Sequence, residues 1–181
     1  MKRTVRIFLG ILVVSAGAFA QDDAAIQKAL LAAPKQLAAG ATVIKWKPDF
    51  TYDTLRKGTN KLVCYDRSGQ PGQAPVAAEC TNLGNLDRAA QNLKFEAMGD
   101  KKTVQAALDA AEKDGTRVKP EYGSVWYHVR GPDADHLNMH MTIAVPGATK
   151  QSLNLPEDNK SGGVWIMNAG TTTAHLMTPG E

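Results

Sequence analysis

Residues 136–146 read HLNMHMTIAVP and place two histidines and two methionines within six positions, while TAHLMT at 173–178 adds His175 and Met177. Imidazole binds zinc and copper in either oxidation state, and thioether suits copper(I). His140, His175 and Met177 are therefore candidate ligands for copper or zinc. Imidazole also exchanges a proton near neutral pH, so the same histidines would serve a hydrolase-like enzyme as acid and base. The plainest reading is that they are half-buried sheet residues with local hydrogen bonds.

The local period bears on these choices. On a helix, His136 and His140 would lie one turn apart and could share an ion, as in H-E-x-x-H sites. Thr142-Ile143-Ala144-Val145 is rich in β-branched residues and Pro146 closes the run, which points to a strand. A strand places Leu137, Met139, Met141, Ile143 and Val145 on one face and His136, Asn138, His140, Thr142 and Ala144 on the other. The first set is an apolar stripe, expected in the core with the methionines as filler. The two histidines are then about 13 Å apart along the strand and cannot chelate one ion alone.

A site at His140 consequently needs a residue from another strand. His175 is the first candidate and His128, in VWYHVR, the second. Trp165 and Asn168, in VWIMN, would join His140 and His175 in lining a ligand pocket, and Asn168 or Asp135 would hold a ring nitrogen from behind. Asp133 and Asp135 in GPDADH either add carboxylates or form a solvated turn. No other motif carries chemistry: the chain has no GxSxG, P-loop, CxxC, or GxGxxG following a strand.

The elements that must position these residues follow a leader. Lys2, Arg3 and Arg6 precede an apolar run from Ile7 to Phe19, and Ala18-Phe19-Ala20 has the small-x-small form of a signal-peptidase site. The run is short for a membrane span. Residues 1–20 are expected to be a signal peptide, leaving 21–181 as a single periplasmic or secreted domain with no transmembrane segment. The formal charge of +3 comes from the leader: residues 21–181 carry as many acidic as basic groups. A neutral domain gives no electrostatic case for nucleic acid or an anionic membrane as partner.

Cys64 and Cys80 are the only cysteines, and in an oxidising compartment they are expected to form a disulfide around the turn-rich segment YDRSGQPGQAPVAAE. Asp22 to Ala33 has helical spacing with Pro34 as its stop, and 41–46 and 61–65 read as strands. Two amphipathic helices follow, one capped by Asn85 and closing at Gly99, the next capped by Asp100 and closing at Gly115. Short strands at 124–130, 136–146, 164–168 and 173–178 complete the chain, with AGTT at 169–172 as a hairpin turn. That order predicts an α+β fold: a mostly antiparallel sheet from the C-terminal third and N-terminal strands, packed with two or three helices.

GTNKLVC (58–64), Cys80, MHMTIAVP (139–146) and above all SGGVWIMNAGTTTAHLMTP (161–179) resemble an uncharacterised family of exported bacterial proteins. The last segment follows its pattern G-G-x-W-x-M-x-A-G-T-x-x-A-H-x-M. On that match His140, Gly162, Gly163, Trp165, Met167, Gly170, Thr171, His175 and Met177 fall at motif positions, whereas His128 and His136 have no counterpart. Leu62, Met139 and Thr172 depart from the pattern, which has tryptophan, proline and proline there. The resemblance implies export and a shared domain, and no reaction. The chain thus reads as an exported binding module for a small molecule or metal ion, with a pocket around His140 and His175. A hydrolase-like enzyme, or a structural envelope or interaction module, is the alternative.

Overall fold

The computed structural model describes residues 16–179; the greater part of the expected leader lies outside them. Among the described residues, eight strands form one sheet in the order β2-β1-β3-β4-β5-β6-β8-β7. The strands are β1 (Thr42–Trp46), β2 (Tyr52–Arg56), β3 (Leu62–Asp66), β4 (Val76–Asn82), β5 (Val125–Gly131), β6 (Asn138–Ala144), β7 (Trp165–Met167) and β8 (His175–Met177). Every neighbouring pair is antiparallel except β1 and β3, which run parallel. The expected α+β class with a mostly antiparallel sheet is what the chain adopts. No described helix is long and apolar enough to cross a membrane.

Both faces of the sheet's centre are covered. On one face helix α1 (Ala16–Ala29) and the 3-10 turn after it pack Ala29, Ala32 and Ala33 against Val43, Leu62, Cys64, Ala78, Cys80 and Val129. On the other, Leu86 and Ala89 of helix α3 (Leu86–Glu96) meet Ile44, Val63, Tyr65, Trp126 and Ala144. The small helix-side residues let backbone and sheet approach closely, so alanine rather than leucine fills much of the interface. Helix α2 (Lys35–Ala38) and helix α5 (Lys150–Leu153) are single turns, and helix α4 (Lys101–Lys113) follows α3.

Asp100 caps α4 as expected, accepting from the backbone of Lys102 and Thr103 at 3.1 and 3.0 Å. Asn85 precedes α3 but makes no capping bond. Its side chain is buried and donates to Thr81 Oγ1 at 2.8 Å and Ser124 Oγ at 2.9 Å, while accepting from the Glu121 backbone at 2.8 Å. It ties β4, the start of α3 and the entry to β5 together. Fully satisfied at both ends of its amide, it is worth more to the core than a cap would be.

Three differences from the expected elements appear. The segment between the cysteines is a loop only over residues 67–75; Tyr65 and Asp66 belong to β3, and its last four residues belong to β4, a central strand. The Cys64–Cys80 disulfide is present, and it joins residues directly opposed on β3 and β4, with Cα atoms 4.1 Å apart. Second, β2 is an edge strand with no apolar stripe, and no local pattern announced it. Third, β6 does alternate, but the methionine face is not the buried one. Met139 is 51% exposed and Met141 half-buried, whereas Thr142 and Ala144 on the histidine face are buried. The reason is coverage: α3 lies over the histidine face, and the opposite cover reaches only Leu137.

Candidate functional site

The polar row begins in the sheet register. Tyr65 on β3 stands opposite Glu79 on β4, Glu79 opposite His128 on β5, and His128 opposite His140 on β6. Directly opposed residues share a face with Cβ atoms about 5 Å apart, so four strands present these side chains in one line. The line faces α3. The His128 and His140 ring centroids are 6.0 Å apart with planes tilted by 33°, and Trp126 stacks on His128 at 6.3 Å.

α3 answers with its own row. Arg88, Asn92 and Glu96 recur every fourth residue, which on a helix is one side. Together the two rows wall a groove between sheet and helix. One part, about 240 Å³, is lined by Arg88, Asn92, His128, His140, Thr142 and His175 among others. The adjoining part, about 770 Å³, runs from Arg67 and Glu96 past the same histidines to Met167 and Met177.

One end of the groove is held by a charge cluster. Arg67 donates to Glu79 Oε2 at 2.6 Å and to Gln70 Oε1 at 2.5 Å, and it also pairs with Glu96 of α3. Both Arg67 and Glu79 side chains are only 6% exposed. A buried arginine with two carboxylates keeps its charge balanced and its fork satisfied. Burial pushes the Glu96 carboxyl up, and Arg67 pulls it back only in part. The Tyr65 hydroxyl is buried beside Glu79 without a hydrogen bond of good geometry, and burial drives its pKa well above the ordinary value.

The other end is held through threonines. Arg88 of α3 donates to Thr172 Oγ1 at 3.0 Å and Thr173 Oγ1 at 2.7 Å, and also to the Val118 carbonyl. Glu112 of α4 accepts from the Thr172 backbone at 3.1 Å and from the hydroxyls of Thr172 and Thr173. Each hydroxyl accepts from the guanidinium and donates to the carboxylate, which ties the β7–β8 connection to both helices. Burial and the neighbouring Arg117 bring Arg88 down to about 10, still cationic at neutral pH.

This tether sets His175, which follows Thr173 by two residues. Its Nδ1 lies 2.7 Å from the Thr173 carbonyl oxygen. A carbonyl only accepts, so Nδ1 carries the proton and Nε2 is the basic nitrogen. Burial lowers the pKa of His175, opposed by that hydrogen bond and assisted by His140. Burial likewise lowers His128; Glu79, whose Oε2 is 3.8 Å from its Nδ1, acts the other way. Both rings are neutral near pH 7 and can act as acceptors or ligands.

The expected residues are thus distributed as follows. His140, His175 and Met177 line one cavity. His175 is opposed in register by Ala144 and Met167, while the direct cross-strand partner of His140 is His128, the residue ranked second from sequence. Trp165 stands opposite Met177 on β7, and Asn168 sits in the turn at φ 55°, its carbonyl accepting from Thr171 Oγ1 at 2.8 Å; neither lines the groove. The acceptor behind His175 is the Thr173 carbonyl in place of Asn168 or Asp135. His136 pairs with Asp133 at 2.7 Å in an exposed turn away from the groove.

Sequence reasoning missed Arg67, Glu79, Arg88, Asn92 and Glu112. The one signal, for Arg88 and Asn92 alone, was the polar 88/92/96 spacing beside the apolar stripe of α3. Among the described residues, no three His, Cys, Asp or Glu side chains are grouped to hold a metal ion. No family model, curated protein or solved structure matches this chain.

Proposed function

We propose that the chain is a small binding module that holds a ligand or ion in the groove between sheet and α3, with His128, His140 and His175 as its contact groups. The observation that carries this reading is the convergence of three imidazoles on one cavity whose two ends are fastened independently, by Arg67–Glu79–Glu96 and by Arg88–Thr172/Thr173–Glu112. Concave sites with a few oriented polar groups are where small ligands bind. The neutral rings of His128 and His175 offer basic nitrogens without the cost of burying a charge.

The buried Cys64–Cys80 bridge supports a working place outside the reducing cytoplasm, in the periplasm or beyond the cell. The hydrolase-like alternative draws on the Glu79–His128 approach of 3.8 Å. It is the weaker reading, because Glu79 Oε2 is already engaged by Arg67 and the Thr173 hydroxyl is engaged by Arg88 and Glu112.

Native mass spectrometry of the chain purified without denaturation tests the module. A bound species is expected on the wild type and absent from a His140→Ala, His175→Ala double variant that still folds. A wild type that carries nothing, or a species retained equally by the folded variant, overturns the reading.

A further inference from the structure

We propose that Met167, His175 and Met177 form a copper(I) site at the β8 end of the groove. The inference rests on the reading of the groove as a binding site and names its ligand class.

Met167 is directly opposite His175 on the β7–β8 hairpin, and Met177 lies two residues further along the same strand face. Opposed Cβ atoms are about 5 Å apart and i, i+2 positions about 7 Å, within reach of a side chain with three rotatable bonds. The three residues and His140 line the same cavity. Met177 is 8% exposed and Met167 40%, so one methionine is buried and the other lies at the solvent edge of the cavity. A methionine exposed to that degree contributes little to a core.

A second, independent observation is the fixed tautomer of His175. Nδ1 donates to the Thr173 carbonyl, and Thr173 is itself clamped by Arg88 and Glu112, so Nε2 is presented as a lone pair on an oriented ring. An imidazole whose other nitrogen donates to a carbonyl is the arrangement that orients metal-ligating histidine.

The donor chemistry selects the ion. The described residues offer no grouping of three His, Cys, Asp or Glu, and both cysteines are in the disulfide, so a centre here must take thioethers. Thioether with imidazole favours copper(I), whereas zinc sites use thiolate, imidazole and carboxylate.

The test is titration of the purified chain with copper(I) against the chromophoric chelator bicinchoninate. The wild type should withdraw one copper per chain. Met177→Leu and Met167→Leu, which keep side-chain volume, should each weaken binding by at least about tenfold, the loss seen even for groups one layer removed from a metal. Circular dichroism confirms that each variant folds. A wild type that takes no copper from the chelator, or leucine variants that match it, overturns the copper site. If that occurs while a bound species is still lost with His140 and His175, only the copper assignment falls; if neither is seen, the binding module falls with it.

Discussion

His128 and His140 stand directly opposite each other on β5 and β6, ring centroids 6.0 Å apart, in line with Glu79 and Tyr65 on the two preceding strands. Burial lowers the pKa of both His128 and His175, and His140 lowers each of them further. His128 and His175 are therefore neutral rings in the folded groove, and its stability has a pH signature.

A histidine whose folded pKa lies below its unfolded value of about 6.5 binds its proton more readily when unfolded. His128 and His175 thus stabilise the fold fully above that pH and progressively less as pH falls below it. The unfolding midpoint should drop between pH 7.5 and roughly 5.5, and His128→Gln should reduce that drop. An identical profile in wild type and variant would refute the assignment.

Arg67 and Glu79 are a buried pair, and removing one partner leaves an uncompensated charge. Arg67→Met should cost about 3–5 kcal/mol. Adding Glu79→Gln should recover part of the loss, since the stranded carboxylate is removed. Urea unfolding of the single and double variants checks this; a double variant as unstable as the sum of the singles would show that the two residues act independently.

The disulfide closes a loop with a sequence separation of 16. A Cys64→Ala, Cys80→Ala variant should lose about 3 kcal/mol in the chain-entropy account. Intact mass with and without reductant should differ by two hydrogens in the wild type.

On β6, overpacking should matter on the face under α3 and truncation should be tolerated on the other. Ala144→Leu should cost roughly 1–3 kcal/mol, whereas Met139→Ala should fall within about 0.5 kcal/mol, as surface changes do. Urea midpoints for the two variants measure both; equal losses would mean that the two faces are covered alike.

That reversal shows where sequence patterning stops. The alternation of residues 137–145 identified a strand and sorted its side chains into two sets, because period 2 is a property of the backbone. Which set is buried depends on where the helices lie, and in a sheet covered on both faces hydrophobicity does not choose. α3 covers Thr142 and Ala144; Met139 projects beyond the cover. Strand β4 escaped notice because Ala77 and Ala78 carry little β preference and follow a Gly- and Pro-rich run. With β4 went Glu79, the residue opposite His128. His140 and His175 were legible as candidates. The tethers of the segment leading into His175, Arg88 and Glu112, act through contacts with Thr172 and Thr173 at sequence separations of 60 and more, which no local pattern encodes.

The central claim is that three of the four histidines meet in one binding groove while His136 stays outside it. Long-range proton–nitrogen spectra of the imidazole rings test it most directly, recorded on the chain as purified and again after unfolding, dialysis and refolding to strip what it carried. The account predicts that the ring nitrogens of His128, His140 and His175 shift together between the two samples while those of His136 do not move. Four unchanged histidines, or a change confined to His136, would contradict it.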